Sequence, residues 1–165
     1  MSKDNQRQSA QMGLLKLSVI TGFVAGLLGS MSGYAAHYFK FTKADPHLIM
    51  APFRGLEWVD TWLGYAIAIL LYGILSIGTA LIYYIALRKR KTPWTGLLYG
   101  VGIFLLIFLV LPPILPDIRP LFENERNTLI TELCIFICYG LFIGYSISYE
   151  YNEQQYFQES AGKQQ

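Results

Sequence analysis

Four stretches of this 165-residue chain are almost free of charge. They are Leu17–Phe39, Trp62–Leu87, Thr92–Pro116 and Asn127–Tyr149, and Glu132 is the only Asp, Glu, Lys or Arg inside them. Each exceeds the roughly 20 mostly apolar residues needed to cross a hydrocarbon core of about 30 Å. A soluble helix bundle would place charges on its outer faces at helical period, and a membrane barrel would show short alternating strands. Neither pattern is present. The composition agrees: 53% of residues are hydrophobic and 15% charged, where a soluble domain carries about 25% charged residues. A soluble enzyme domain is excluded, as is disorder over most of the chain. The predicted fold is all-α, an integral membrane four-helix transmembrane bundle.

The predicted helices cover about residues 14–36, 62–87, 94–111 and 128–149, within a transmembrane domain of residues 14–151. The third stops at Pro112-Pro113, which cannot continue a backbone ladder. Residues 1–13 and 152–165 are polar and expected to be disordered tails. The first apolar stretch is longer than the 7–15 residues of a signal-peptide core, so an uncleaved first helix is expected. Short turns predict sequential antiparallel neighbours.

Orientation follows from Lys and Arg. With the N-terminus inside, the inner segments carry Lys3, Arg7, Lys16, Arg88, Lys89, Arg90, Lys91 and Lys163. The outer segments carry Lys40, Lys43, Arg54, Arg119 and Arg126. The short run Arg88-Lys89-Arg90-Lys91 weighs most and predicts both termini in the cytoplasm. The same four charges can meet anionic lipid head groups. A net charge of +2 is too small to imply nucleic acid as a partner. The lipid bilayer is the expected one. Tyr34, Tyr38, Trp58, Trp62 and Tyr65 at one interface, and Tyr83, Tyr84, Trp94, Tyr145 and Tyr149 at the other, fit the aromatic belts that anchor helices.

Few residues can carry chemistry. Gly22, Gly26, Gly29 and Gly33 form one smooth stripe on the first helix, and small residues let helices approach closely in lipid. The stripe either packs within the chain or docks a helix from a membrane-protein partner or a second copy. Shorter pairs occur at Gly96/Gly100 and Gly140/Gly144. Glu132 is an ion or polar site candidate, since an acid at membrane depth is a functional hypothesis by default. The structural alternative places it in the first turn of the fourth helix, where the N-terminal dipole favours an anion and Asn127 or Thr128 supplies the cap. Tyr72 and Tyr139 lie near mid-membrane, and each hydroxyl needs a partner there. Ser76 is available to Tyr72. Cys134 and Cys138 share a helix face and read as small packing residues. His37 and His47, with Asp45, Glu57 and Asp60 nearby, show no metal-ligand spacing. No H-E-x-x-H, nucleophile elbow, P-loop or dinucleotide fingerprint occurs. No catalytic residue, cofactor or metal is expected, and the chain reads as no enzyme.

The string Tyr139-Gly140-Leu141-Phe142-Ile143-Gly144-Tyr145-Ser146-Ile147-Ser148-Tyr149-Glu150-Tyr151 resembles the C-terminal signature of the YqhR family. Tyr38–Thr42, Ser76-Ile77 with Ala80–Tyr84, and Asn127–Thr131 extend the resemblance over roughly residues 17–151. Lys40 and Asp45 depart from the family pattern, which implies a neutral polar residue and a glycine at these places. The resemblance implies a small multi-pass protein of the bacterial cytoplasmic (cell) membrane, with no activity or site residues to carry over. The function expected from the sequence is that of a non-enzymatic accessory or subunit of a membrane complex. The alternative is a small transporter or channel using Glu132 with Tyr72, Ser76, Thr79 and Tyr139.

Overall fold

The computed structural model describes residues 3–53, 55–56, 59, 61–87, 93–110, 112–113 and 124–162. Among them the chain is helical, without strands. Helix α1 is Lys3–Tyr38 and α2 is Trp62–Leu87, with a 3-10 segment, Pro46–Phe53, between them. Helix α3 is Pro93–Leu105, prolonged by a π-helical turn over Leu106–Val110, and α4 is Arg126–Gly162. Among the described residues three spans are long and apolar enough to cross a membrane: Met12–Tyr38, Trp62–Leu87 and Arg126–Glu153. The apolar part of α3 with its π turn, Trp94–Val110, is shorter.

Two boundaries differ from expectation. The tails 1–13 and 152–165, expected to be disordered, are helical from Lys3 and up to Gly162. Neither carries a proline, and both are rich in Gln with Lys, Arg or Glu, which are good helix formers. Extending a helix that already exists avoids the unfavourable nucleation step. Helix α3 opens on Pro93, whose missing N–H is harmless at a first helical position.

The principal packed pairs are α1–α2, α3–α4 and α1–α4. The first two are the expected sequential neighbours. Helices α2 and α3, also expected to be neighbours, form no such pair. They meet near their connection, where the Tyr99 hydroxyl donates to the Thr79 carbonyl at 2.6 Å and the Tyr83 and Tyr99 rings cross at 5.1 Å.

Glycines set the close seams. A Cβ on Gly22 would stand 2.6 Å from the Ala80 Cβ, and one on Gly26 would stand 2.5 Å from the Ser76 Cβ. In the second pair, a Cβ on Gly140 would meet the Gly100 Cα at 2.5 Å, and one on Gly144 the Gly96 Cα at 2.6 Å. Both seams bring backbone against backbone, which compensates in lipid for the absence of a hydrophobic drive between helices.

Leu14, Ala25, Ala80, Tyr83, Tyr84, Ile143 and Ile147 form the main core cluster. A smaller cluster of Met50, Val59 and Ala68 seats the 3-10 segment on α2. Tyr83 and Tyr84, expected at an aromatic belt, are buried instead. The Tyr83 hydroxyl pairs with Ser148 Oγ at 3.0 Å, so its polar tip is satisfied inside the protein and needs no head-group region. Trp62, Trp94, Tyr145 and Tyr149 are exposed. Trp58 and the basic run Arg88, Lys89, Arg90 and Lys91 lie outside the described residues.

Candidate functional site

The site begins where α1 ends. Lys40 takes a left-handed backbone conformation (φ 61°), and the chain reverses across the start of α4. Four side-chain contacts tie the reversal down. The buried Thr42 hydroxyl donates to Glu132 Oε1 at 2.9 Å. The Lys43 backbone N–H donates to Thr128 Oγ1 at 3.1 Å, and the Thr131 hydroxyl donates to the Phe41 carbonyl at 3.2 Å. Lys43 Nζ forms an ion pair with Glu125. The expected cap by Asn127 or Thr128 is therefore not how α4 starts. The first helical N–H bonds run back to Glu125, whose carbonyl accepts from Leu129 at 3.1 Å. The Thr128 hydroxyl is taken by the incoming chain, and Asn127 is exposed.

Below this crossing lies a cavity of about 430 Å³. Gly26, Gly29 and Gly33 of α1 form one wall, and Tyr72, Ser76 and Thr79 of α2 the next. Ile103, Ile107 and Phe108 come from α3 and its π turn, and Glu132, Phe136 and Tyr139 from α4. Lys43, Asp45 and Asn124 stand at the mouth. The open wedge between α2 and α3 makes this space, because the helices on either side are already held by their own glycine seams.

The inner end of the cavity is a closed hydroxyl network. Tyr139 Oη lies 2.6 Å from Ser76 Oγ and within hydrogen-bond reach of Thr79 Oγ1. Ser76 donates to the Gly22 carbonyl at 2.6 Å, and Thr79 to the Ser76 carbonyl at 2.8 Å. The Tyr139 proton therefore goes to one of these two hydroxyls. Ser30, on the opposite wall, donates to the Leu27 carbonyl at 3.0 Å. Every one of these protons is aimed at protein, and what the hydroxyls turn to the cavity is lone pairs.

Sequence reasoning singled out Glu132, Tyr72, Ser76, Thr79 and Tyr139, and all five line this one cavity. It expected Ser76 to serve Tyr72. Ser76 instead serves Tyr139, across the helix interface, while the Tyr72 hydroxyl is hydrogen-bonded to the backbone at Ile49. Of the glycine stripe, Gly22 and Gly26 face α2, a Cβ on Gly29 would stand 3.5 Å from the Tyr139 ring, and one on Gly33 would meet nothing within 4 Å. The links from Thr42 to Glu132 and from Lys43 to Thr128 were not foreseen. They join residues 90 and 85 positions apart, and no local pattern marks such a pairing. Cys134 and Cys138, expected to be packing residues, are exposed. They line a separate groove of about 320 Å³ between α1 and α4, with Leu28 and Phe142, because the smooth face of α1 leaves nothing there to cover them.

Apolar helices of membrane-crossing length, drawn together by glycine seams around a cavity that Glu132 lines, define a multi-helix membrane protein. The chain belongs to the YqhR family: the family described as "Conserved membrane protein YqhR" matches residues 1–162. It is similar to "Uncharacterized protein YqhR" of Bacillus subtilis (strain 168), at 44% identity over 149 residues, covering 90% of this chain and 84% of that relative. No solved structure matches it.

Proposed function

We propose that the protein is a non-enzymatic, four-span membrane protein that binds a small solute in the cavity, in the manner of a small transporter. The observation that carries this reading is the convergence of Glu132, Tyr72, Ser76, Thr79 and Tyr139 on a single space between the helices. Polar side chains inside a bilayer are costly unless they face a pathway or one another; Ser76, Thr79 and Tyr139 meet one another, and all five line the cavity. The accessory-subunit reading rests on the glycine stripe together with the lack of reactive residues. Gly22 and Gly26 are engaged by α2, which leaves the stripe less free to dock a partner.

Support for a fourth crossing comes from parity. Leu14, near the start of α1, packs with Ile143 and Ile147 far along α4, while Thr42, just beyond α1, reaches Glu132 near the start of α4. The two helices are antiparallel, and α2 returns along α1. The chain thus leaves α2 at one end of the bundle and enters α4 at the other, which supports a crossing by the segment between. Trp94–Val110 measures about 25 Å at 1.5 Å per residue, a mismatch that tilt and local thinning absorb at fractions of a kcal/mol per ångström. With the basic run of residues 88–91 held inside, both termini are cytoplasmic and the cavity mouth at Lys43, Asp45 and Asn124 opens outward. Export of a reporter fused to the C-terminus would overturn this orientation.

The functional reading is tested by heating the detergent-purified protein with a panel of small cations, anions and neutral solutes. A solute at about 100 times its dissociation constant contributes roughly 2.7 kcal/mol, which raises the melting temperature. The expected result is a rise with one solute class, lost when Gly33→Ile fills the cavity wall. If no class stabilises the protein and mild-detergent purification yields a stoichiometric membrane partner, the accessory-subunit reading replaces this one.

A further inference from the structure

We infer that the cavity takes an organic cation, an amine or quaternary ammonium on an apolar body, with Glu132 as its charge partner. The inference rests on the small-solute reading above and names the class of solute.

The first support is charge. Glu132 lines the cavity, and among the described residues its hydrogen-bond partner is the uncharged Thr42 hydroxyl. The cation at the mouth, Lys43, is held by Glu125. A carboxylate among apolar walls is expensive unless a positive charge meets it, and a cationic ligand in the cavity supplies that charge beside Glu132.

The second support is the proton inventory. Ser30, Ser76, Thr79 and Tyr139 direct their protons to other protein oxygens. An anion would meet lone pairs at the inner end of the cavity, whereas an N–H group or a quaternary ammonium meets attraction.

The third is shape. The Phe136 and Tyr139 rings stand edge to face, 6.5 Å apart, in a wall that a cation can approach through its π faces. Leu75, Ile103 and Ile107 offer apolar surface to the rest of the molecule. A volume of about 430 Å³ lies within the range of sites that enclose compact organic ligands.

The test uses the full chain in membrane vesicles, with Cys134→Ala and Cys138→Ala to clear the native thiols and Ile107→Cys as a reporter on the cavity wall. Thr79→Cys, on the facing helix, serves as a second reporter should the first fail to insert. The rate of labelling by N-ethylmaleimide is followed with three probes: benzyltrimethylammonium, its neutral carbon analogue neopentylbenzene, and phenylbutyrate. The cation is expected to slow labelling while the neutral and anionic probes leave it unchanged. Adding Glu132→Gln, which keeps the side-chain shape, should raise the half-protecting concentration of the cation by about tenfold or more. No protection by the cation, equal protection by the neutral analogue, or indifference to Glu132→Gln would each overturn the cation assignment and leave the cavity standing. Failure of both reporters to label, while Cys134 and Cys138 of the unmodified chain do, would mean that water does not reach the cavity. The small-solute reading would then fall with the inference.

Discussion

Gly22 and Gly26 lie on the same stripe of α1 as Gly29 and Gly33, yet the two halves of the stripe serve opposite ends. In the first half the missing side chain is replaced by another backbone: Ala80, Ile77, Ser76 and Gly73 of α2 crowd the position where a Cβ would be. In the second half it is replaced by space, with the Tyr139 ring beyond Gly29 and nothing near Gly33. The α3–α4 seam repeats the first arrangement at Gly96, Gly100, Gly140 and Gly144. A small residue in a membrane helix thus has two uses, and only the tertiary partner decides which applies. Tight seams hold α1 to α2 and α3 to α4, and α2 and α3 part around the cavity.

Side chains added along these positions separate the two uses by magnitude. Gly140→Leu should do most damage, because its Cβ would stand 2.5 Å from both the Gly100 Cα and the Gly96 carbonyl oxygen. Forcing a large group into a filled seam costs about 3 kcal/mol or more. The fraction of protein remaining soluble after heating in detergent should collapse. Gly26→Ile should follow, at about 2–3 kcal/mol, whereas Gly33→Ile, on the same stripe, should stay within about 0.5 kcal/mol of the parent. Equal melting temperatures for the two variants would break the comparison. The smaller effect belongs to the hydroxyl network. Tyr139→Phe leaves Ser76 and Thr79 without their shared partner, and hydrogen bonds between membrane helices average about 0.6 kcal/mol. A loss of that size by the same assay, with no change in insertion, would place Tyr139 in the floor of the cavity and outside the seams.

The sequence and the structure meet unevenly. Charge-free stretches disclose three full-length spans, since lipid penalises every unpaired charge, and Pro112-Pro113 lies just past the end of the α3 turn. The helix ends were hidden where no breaker stands: nothing in Lys3–Gly13 or Asn152–Gly162 tells a lone polar tail from the continuation of a helix. Glycine spacing at Gly96/Gly100 and Gly140/Gly144 marked two helices able to approach closely, and they do approach each other. The same spacing at Gly22 and Gly26 could not name α2 as the partner. Candidate site residues were legible as isolated polar groups at membrane depth. Their pairing was not: Ser76 sits one turn from Tyr72 in sequence, yet helix packing brings it to Tyr139. Tyr83 had the position of an interface anchor, and Ser148, 65 residues later, drew it inward. Thr42 is the strongest example, because its link to Glu132 exists only through the reversal after α1.

Helix α4 runs without interruption from Arg126 to Gly162. It therefore carries the cavity carboxylate and a stretch well beyond the last membrane-length window on one continuous rod. From Glu132 to its end the rod measures about 45 Å at 1.5 Å per residue. It has no proline or π turn at which a bend would be absorbed. Tilting such a lever by about ten degrees about its cavity end sweeps the far tip by roughly 8 Å, given that rise. A small change of tilt at Glu132 thus becomes a displacement of several ångströms at the opposite end of the helix.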